Sequence, residues 1–122
     1  MCHTGGVIPF IRPDRREALF GGRGHVLVES LVGTVCAPFT VALNCELSAH
    51  GRVGEHVQNS EDELCIVLDG EGTIFVDGVA HSVRAGSVVG LVLKQRLAIE
   101  NTSDAPLRYL IVKAVRRQAL SA

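Results

Sequence analysis

The sequence predicts a single all-β domain, and three observations support this class. The chain has 122 residues, of which 47% are hydrophobic, enough for one core and too few for two. Short β-rich segments alternate with turn signals roughly every eight to twelve residues, as in antiparallel sandwiches and barrels. Helical periodicity is nearly absent beyond residue 24. We therefore expect one domain over residues 1–122, with an N-terminal arm (1–24), a barrel core (39–115) and a tail (116–122).

The arm is punctuated by glycine and proline over residues 1–12. Residues 13–20 predict a short helical turn, because Pro13 stands near its start. The glycine-rich run at residues 21–24 then ends that turn.

The first predicted strands cover residues 25–31 and 39–47. The second alternates, with apolar side chains at the odd positions and polar ones such as Asn44 and Glu46 at the even positions. Parity alone does not say which face looks into the core. Asn44 and Glu46 are candidate substrate-binding residues if theirs is the inner face.

A polar stretch at residues 51–59 reads as a ligand-binding loop that feeds a buried strand at 63–68. An Asp-Gly pair ends this strand, and a second one at Asp77-Gly78 predicts a tight hairpin. The run at 87–93 is almost continuously apolar, which is typical of a strand covered on both sides. The strands expected after residue 70 lie at residues 73–76, 80–83, 87–93, 96–100 and 107–115.

Composition excludes several classes of partner. The net charge of −1 does not supply the basic surface that nucleic acid requires. No apolar run approaches the ~20 residues of a membrane span, and the N-terminus lacks a signal-peptide core. We expect a cytoplasmic protein that binds neither nucleic acid nor membrane. The four cysteines lack metal-ligand spacing, so we expect reduced thiols.

The spacing around the polar stretch resembles the first motif of the cupin family. His56, one residue, Gln58, four residues, Glu63, six residues and Gly70 follow that motif, with Gln in place of its second His. The resemblance covers roughly residues 39–115 and implies a small antiparallel jelly-roll β-barrel.

The second cupin motif is only partly present. Gly86 and Asn101 stand in register for it, but Leu97 occupies the position of its histidine. The family's metal site, which holds Fe, Mn, Ni, Zn or Cu, would here consist of His56, Gln58, Glu63 and Leu97. Two of these four are ordinary ligands, so we expect no tight four-ligand metal. If a metal binds, His56, Gln58 and Glu63 would hold it with waters.

The same resemblance implies a lumen for a small molecule. His56 and Glu63 are the expected catalytic residues, because an imidazole and a buried carboxylate can exchange protons near neutral pH. Gln58 lies on the face of His56, and Cys65 on the face of Glu63, so both are expected to contact substrate. Leu97 would make the opposite wall apolar.

Three functions remain open. The first is an isomerase, cyclase, lyase or dehydratase that works by acid/base chemistry without the usual metal. The second is a metal-dependent oxygenase-type cupin with an altered His/Gln/Glu site, and the third is a non-catalytic binding or sensing module. Small cupins commonly pair, so we also expect a homodimer, with the N-terminal segment pairing across subunits.

Overall fold

The computed structural model describes residues 13–31, 39–59 and 61–115, which form ten strands and one 3₁₀ turn at Leu19–Gly21. The strands are β1 (Asp14–Glu17), β2 (His25–Ser30), β3 (Phe39–Leu47), β4 (Arg52–Val57), β5 (Glu61–Asp69), β6 (Glu71–Val76), β7 (Val79–Arg84), β8 (Val88–Leu91), β9 (Arg96–Glu100) and β10 (Leu107–Val115).

The strands form two antiparallel sheets that enclose the core. The larger sheet has the order β1-β2-β3-β10-β5-β8, and the smaller has the order β4-β9-β6-β7. The predicted all-β, jelly-roll class is confirmed. The largest fully buried apolar side chains lie between the sheets and are Leu47, Ile74, Leu91, Leu97, Ile99 and Leu107.

Turn chemistry fixes much of this register. Asp77 and Gly78 both have positive φ, as the predicted two-residue hairpin between β6 and β7 requires. At the end of β9, the buried Asn101 amide donates to the carbonyls of Leu47, Ser48 and Ala105. These bonds tie the smaller sheet to the end of β3.

Two expectations for the first half of the chain are wrong. Residues 14–17 form β1, which pairs with β2, rather than part of a helical turn. The polar stretch is not a loop, because residues 52–57 form β4 and pair with β9. Pairing with a neighbouring strand overrides the weak local preference of these glycine-containing and charged segments.

The strand expected at residues 87–93 is shorter and lies at a sheet edge. β8 pairs with β5 and ends the larger sheet, and Val88 is 59% exposed. An apolar run therefore did not mean burial on both faces. No helix among the described residues is long and apolar enough to span a membrane.

Candidate functional site

A small cavity lies between the two sheets. Its volume is about 190 Å³, smaller than the roughly 300–1,000 Å³ of sites for drug-sized ligands. The residues that carry its chemistry are Arg16, Phe20, Cys45, His56, Glu63, Leu97, Tyr109 and Lys113. We call this cavity the lumen.

A β-bulge in β4 turns His56 into the lumen. The register with β9 shifts between Val53 and His56, so these residues, three apart, both line the cavity. The bulge contains Gly54, where a Cβ would overlap the carbonyl oxygen of Phe20. The 3₁₀ turn can therefore pack directly against β4, and the Phe20 ring stacks on the His56 imidazole with centroids 4.3 Å apart.

The environment of His56 favours a neutral imidazole. Burial lowers its pKa, and the nearby Lys113 ammonium lowers it further, while a contact with the backbone of Gly54 opposes both. Nδ1 lies 3.4 Å from the Gly54 carbonyl oxygen, which can only accept. This contact favours the proton on Nδ1 and leaves Nε2 as the basic nitrogen.

Glu63 is buried on the inner face of β5. Its Oε1 lies 3.6 Å from Lys113 Nζ, with side chains 1% and 25% exposed respectively. Burial raises the pKa of Glu63, and this effect exceeds the opposing attraction of Lys113 and of the Gln58 amide. Gln58 is itself buried, but its Nε2 reaches no partner within hydrogen-bond geometry among the described residues.

Two cations of the site were not anticipated from the sequence. Lys113 faces Glu63 across β10 and β5, and Arg16 lines the cavity from β1. The signal for Lys113 is its parity, because it continues the inner face of Leu107, Tyr109 and Ile111. A lysine at an inner position of an apolar strand indicates a polar site.

The sequence predicts Leu97 on the wall opposite His56, but the structure places it beside His56 in the smaller sheet, across the lumen from Glu63. Leu97 on β9 pairs with His56 on β4, lines the lumen and is fully buried. A side chain that donates no electron pair thus lies beside the imidazole.

The thiols of the core remain protonated. Burial raises the pKa of Cys45 to about 12, although a hydrogen bond with Tyr109 opposes this, and burial also raises the pKa of Cys65. Cys65 shares the inner side of β5 with Glu63 but does not line the lumen, whereas Cys45 does. Neither thiol is suited to act as a nucleophile at neutral pH. Cys2 and Cys36 lie outside the described residues.

Asn44 and Glu46 are not brought into the lumen. Leu43 and Cys45 line it, so the even-numbered residues of β3 point to the opposite side of the sheet. Glu46 lies 3.9 Å from the Arg108 guanidinium on that outer side. The condition for their predicted role, an inward face, is not met.

The donors at the lumen do not fit the metal site that the family resemblance implies. Leu97 offers no lone pair, and the ammonium of Lys113 stands beside Glu63, where it would repel a divalent cation. Over residues 13–31, 39–59 and 61–115, no three His, Cys, Asp or Glu side chains converge as a metal site. Of the four motif positions, His56, Gln58 and Glu63 carry donor atoms and Leu97 does not.

Comparisons with known proteins agree with this architecture. The family described as Cupin domain matches residues 44–113, more than half of the chain. A protein of Thermotoga maritima described as an oxalate-binding protein is 29% identical over 104 residues, 84% of this chain and 86% of that protein.

Solved structures with a similar fold agree with the family match. A Thermotoga maritima crystal structure, described as a predicted oxalate decarboxylase, superposes with a TM-score of 0.80 at 25% identity. The match covers 87% of this chain and 94% of that one. A conserved barrel domain protein of Salinispora arenicola superposes with a TM-score of 0.65 at 27% identity, covering 73% and 75% of the two chains.

Proposed function

This chain belongs to the cupin family, and from that premise we propose that it binds a small organic molecule in the lumen and transfers protons to or from it. The proposed chemistry is of the isomerase, cyclase, lyase or dehydratase type and does not use the family's four-ligand metal. One observation carries the proposal: His56 and Glu63 both line one small cavity, in surroundings that change their proton affinities in complementary directions.

His56 is the proposed base. Its lowered pKa keeps the imidazole neutral at pH 7, with Nε2 able to accept a proton. Stacking against Phe20 holds the ring plane in one orientation. Phe20 and the backbone of Gly54 are the groups in contact with this ring.

Glu63 is the proposed acid. Burial raises its pKa, so its carboxyl group holds a proton closer to neutral pH than an exposed glutamate does. In the proposed cycle, His56 removes a proton from a substrate carbon or hydroxyl group, and Glu63 delivers one to the atom that gains electrons. Gln58 is not among the described residues that line the lumen, and its Nε2 reaches no partner there, so its predicted contact with substrate is not supported.

The experiment uses small carboxylic acids, beginning with oxalate because of the relative's description. Oxalate, which has no C–H bond, is tested for binding, whereas turnover and solvent-deuterium incorporation are followed by NMR in D₂O with oxaloacetate and pyruvate. We expect His56→Gln and Glu63→Gln each to lower turnover by at least about 100-fold, the size of a lost proton-transfer group. His81→Gln, at an exposed position of β7, is the control. Turnover that persists in both variants, or that follows metal loading, would contradict the proposal.

A second candidate, ligand binding without catalysis, has one specific observation in its favour. The relative from Thermotoga maritima is described by what it binds. In that case oxalate or another small acid would shift the His56 ring resonances of the wild type without any turnover. Full binding in the Glu63→Gln variant would agree with it.

The homodimer remains a proposal, and the structure offers an apolar surface for it. The outer face of β5 and β8 carries the exposed side chains of Leu64, Leu68 and Val88. Contiguous apolar surface of this kind commonly marks an interface, here with a second copy. Light scattering should give twice the mass of one chain, reduced to one chain by Leu64→Glu. A wild-type monomer at micromolar concentration would rule the dimer out.

A further inference from the structure

We propose that Lys113 makes the lumen a site for a small carboxylate ligand, which its ammonium group anchors. This inference rests on the proposed function, because it names the ligand class of the same cavity. It starts from a residue that neither cupin motif includes.

Lys113 occupies an inner position in the larger sheet. It lies on β10, between β3 and β5, directly across from Glu63. Its side chain is 25% exposed and lines the lumen, so most of it lies inside the barrel. A lysine retained at such a position needs a compensating anion.

Glu63 compensates this charge only in part. The Lys113 Nζ to Glu63 Oε1 distance of 3.6 Å is an ion pair, but it exceeds the usual 2.7–3.2 Å of an N–H···O hydrogen bond. An ammonium has three N–H donors. Lys113 can therefore donate to a ligand without leaving Glu63.

The charges of the lumen lining favour an anion. Arg16 and Lys113 are cationic, and Glu63 is the one acidic side chain on the described lining, so the balance is at least +1 with His56 neutral. The facing wall, with Leu97 and no charge, keeps the dielectric low and strengthens the attraction.

The size and donor geometry of the lumen favour a carboxylate. A cavity of about 190 Å³ admits a molecule of several non-hydrogen atoms. One ammonium suits a carboxylate head, whereas phosphate sites usually add a guanidinium fork or a cluster of backbone amides.

Arg16 has a different role. β1 lies three strand spacings from β10, roughly 14 Å between backbones at about 4.8 Å per spacing. Arg16 is also exposed as a residue, which places it at the rim. It attracts the anion towards the mouth, while Lys113 binds it.

The experiment compares charged and neutral isosteres. Acetate and malonate are titrated against acetamide and malonamide by calorimetry, with the His56 ring resonances as a report of lumen occupancy. We expect the carboxylates to bind the wild type more tightly, and Lys113→Met to weaken them at least 10-fold. Lys113→Arg, which keeps the charge, should stay within about 3-fold.

Three further variants sharpen the result. Glu63→Gln removes the competing carboxylate and should tighten carboxylate binding several-fold. Arg16→Gln should weaken it about 2- to 3-fold, with a dependence on salt. Lys94→Met, at an exposed turn residue outside the lumen, is the matched control and should change nothing.

The binding experiments separate a wrong role for Lys113 from a wrong proposed function. If amides bind as tightly as carboxylates, Lys113 is not the anchor. The same holds if a folded Lys113→Met variant binds carboxylates with unchanged affinity. In both cases the lumen would still bind a ligand. Inorganic phosphate that binds more tightly than malonate would overturn the carboxylate class. If neither carboxylates nor amides shift the His56 resonances, the anchor fails, and the turnover assay decides the proposed function separately.

Discussion

The two sheets that enclose the lumen supply different chemistry. The larger sheet contributes the charged side chains Arg16, Glu63 and Lys113, whereas the smaller contributes His56 beside the apolar Leu97. An imidazole on an apolar wall thus faces an ion pair on a charged wall. The two residues of the proposed proton-transfer pair, His56 and Glu63, lie in different sheets, so their geometry depends on how the sheets pack and not on the motif spacing alone.

The largest expected effect comes from the apolar wall. Leu97→Ala removes a fully buried side chain and should lower the free energy of unfolding by about 2–5 kcal/mol, from lost burial and a new cavity. Urea denaturation at pH 7.5 measures this. Val79→Ala, at an exposed position of β7, is the control and should cost little. A loss of similar size in both variants would show that Leu97 is not a core residue.

The next largest effect concerns Gly54, which lets the 3₁₀ turn pack against β4 beside His56. Gly54→Ala places a Cβ against the Phe20 carbonyl oxygen and should lower the free energy of unfolding by about 1–3 kcal/mol as the 3₁₀ turn is displaced. Urea denaturation measures this loss. Gly90→Ala, whose Cβ would meet Leu64 at 3.6 Å, is the control with ordinary contact distance. Equal stability of the two variants would contradict the close approach.

A smaller effect concerns the imidazole itself. Phe20→Ala removes the stacked ring and lets water reach His56, so the pKa of His56 should rise towards its usual value of 6.5. NMR titration of the His56 ring protons follows this change. Phe39→Ala, at another exposed phenylalanine that does not line the lumen, should leave the titration unchanged. No shift in the Phe20 variant would mean that the ring does not desolvate His56.

The smallest effect is the pH dependence from the charged wall. The folded-state pKa of Glu63 is raised above 4.5, so its contribution to stability is complete below pH 4.5 and is lost as the pH rises through the folded value. Glu63→Gln lacks this loss. Its stability relative to the wild type should therefore improve between pH 4.5 and pH 8 in urea denaturation. His56 titrates in both proteins and cancels in the difference. A constant difference would contradict the raised pKa.

Local sequence patterns located most of the fold. The strands at 39–47, 96–100 and 107–115 were predicted with their observed bounds, because alternating or apolar runs end at turn residues such as Asn101. β1 and β4 were not predicted as strands, because β1 consists of charged residues and Gly54 interrupts β4. Such segments become strands only when a neighbouring strand supplies their hydrogen bonds.

The sequence by itself determined the family, the barrel, and the two motif residues that reach the lumen, His56 and Glu63, because the spacing of the first cupin motif includes both. Tertiary structure alone decided the rest of the site. Lys113 lies 50 residues after Glu63 in the chain and meets it only because β10 pairs with β5. Phe20 reaches His56 only because Gly54 lets the 3₁₀ turn approach β4. Contacts between distant segments arise from strand pairing and sheet packing, which no local pattern specifies.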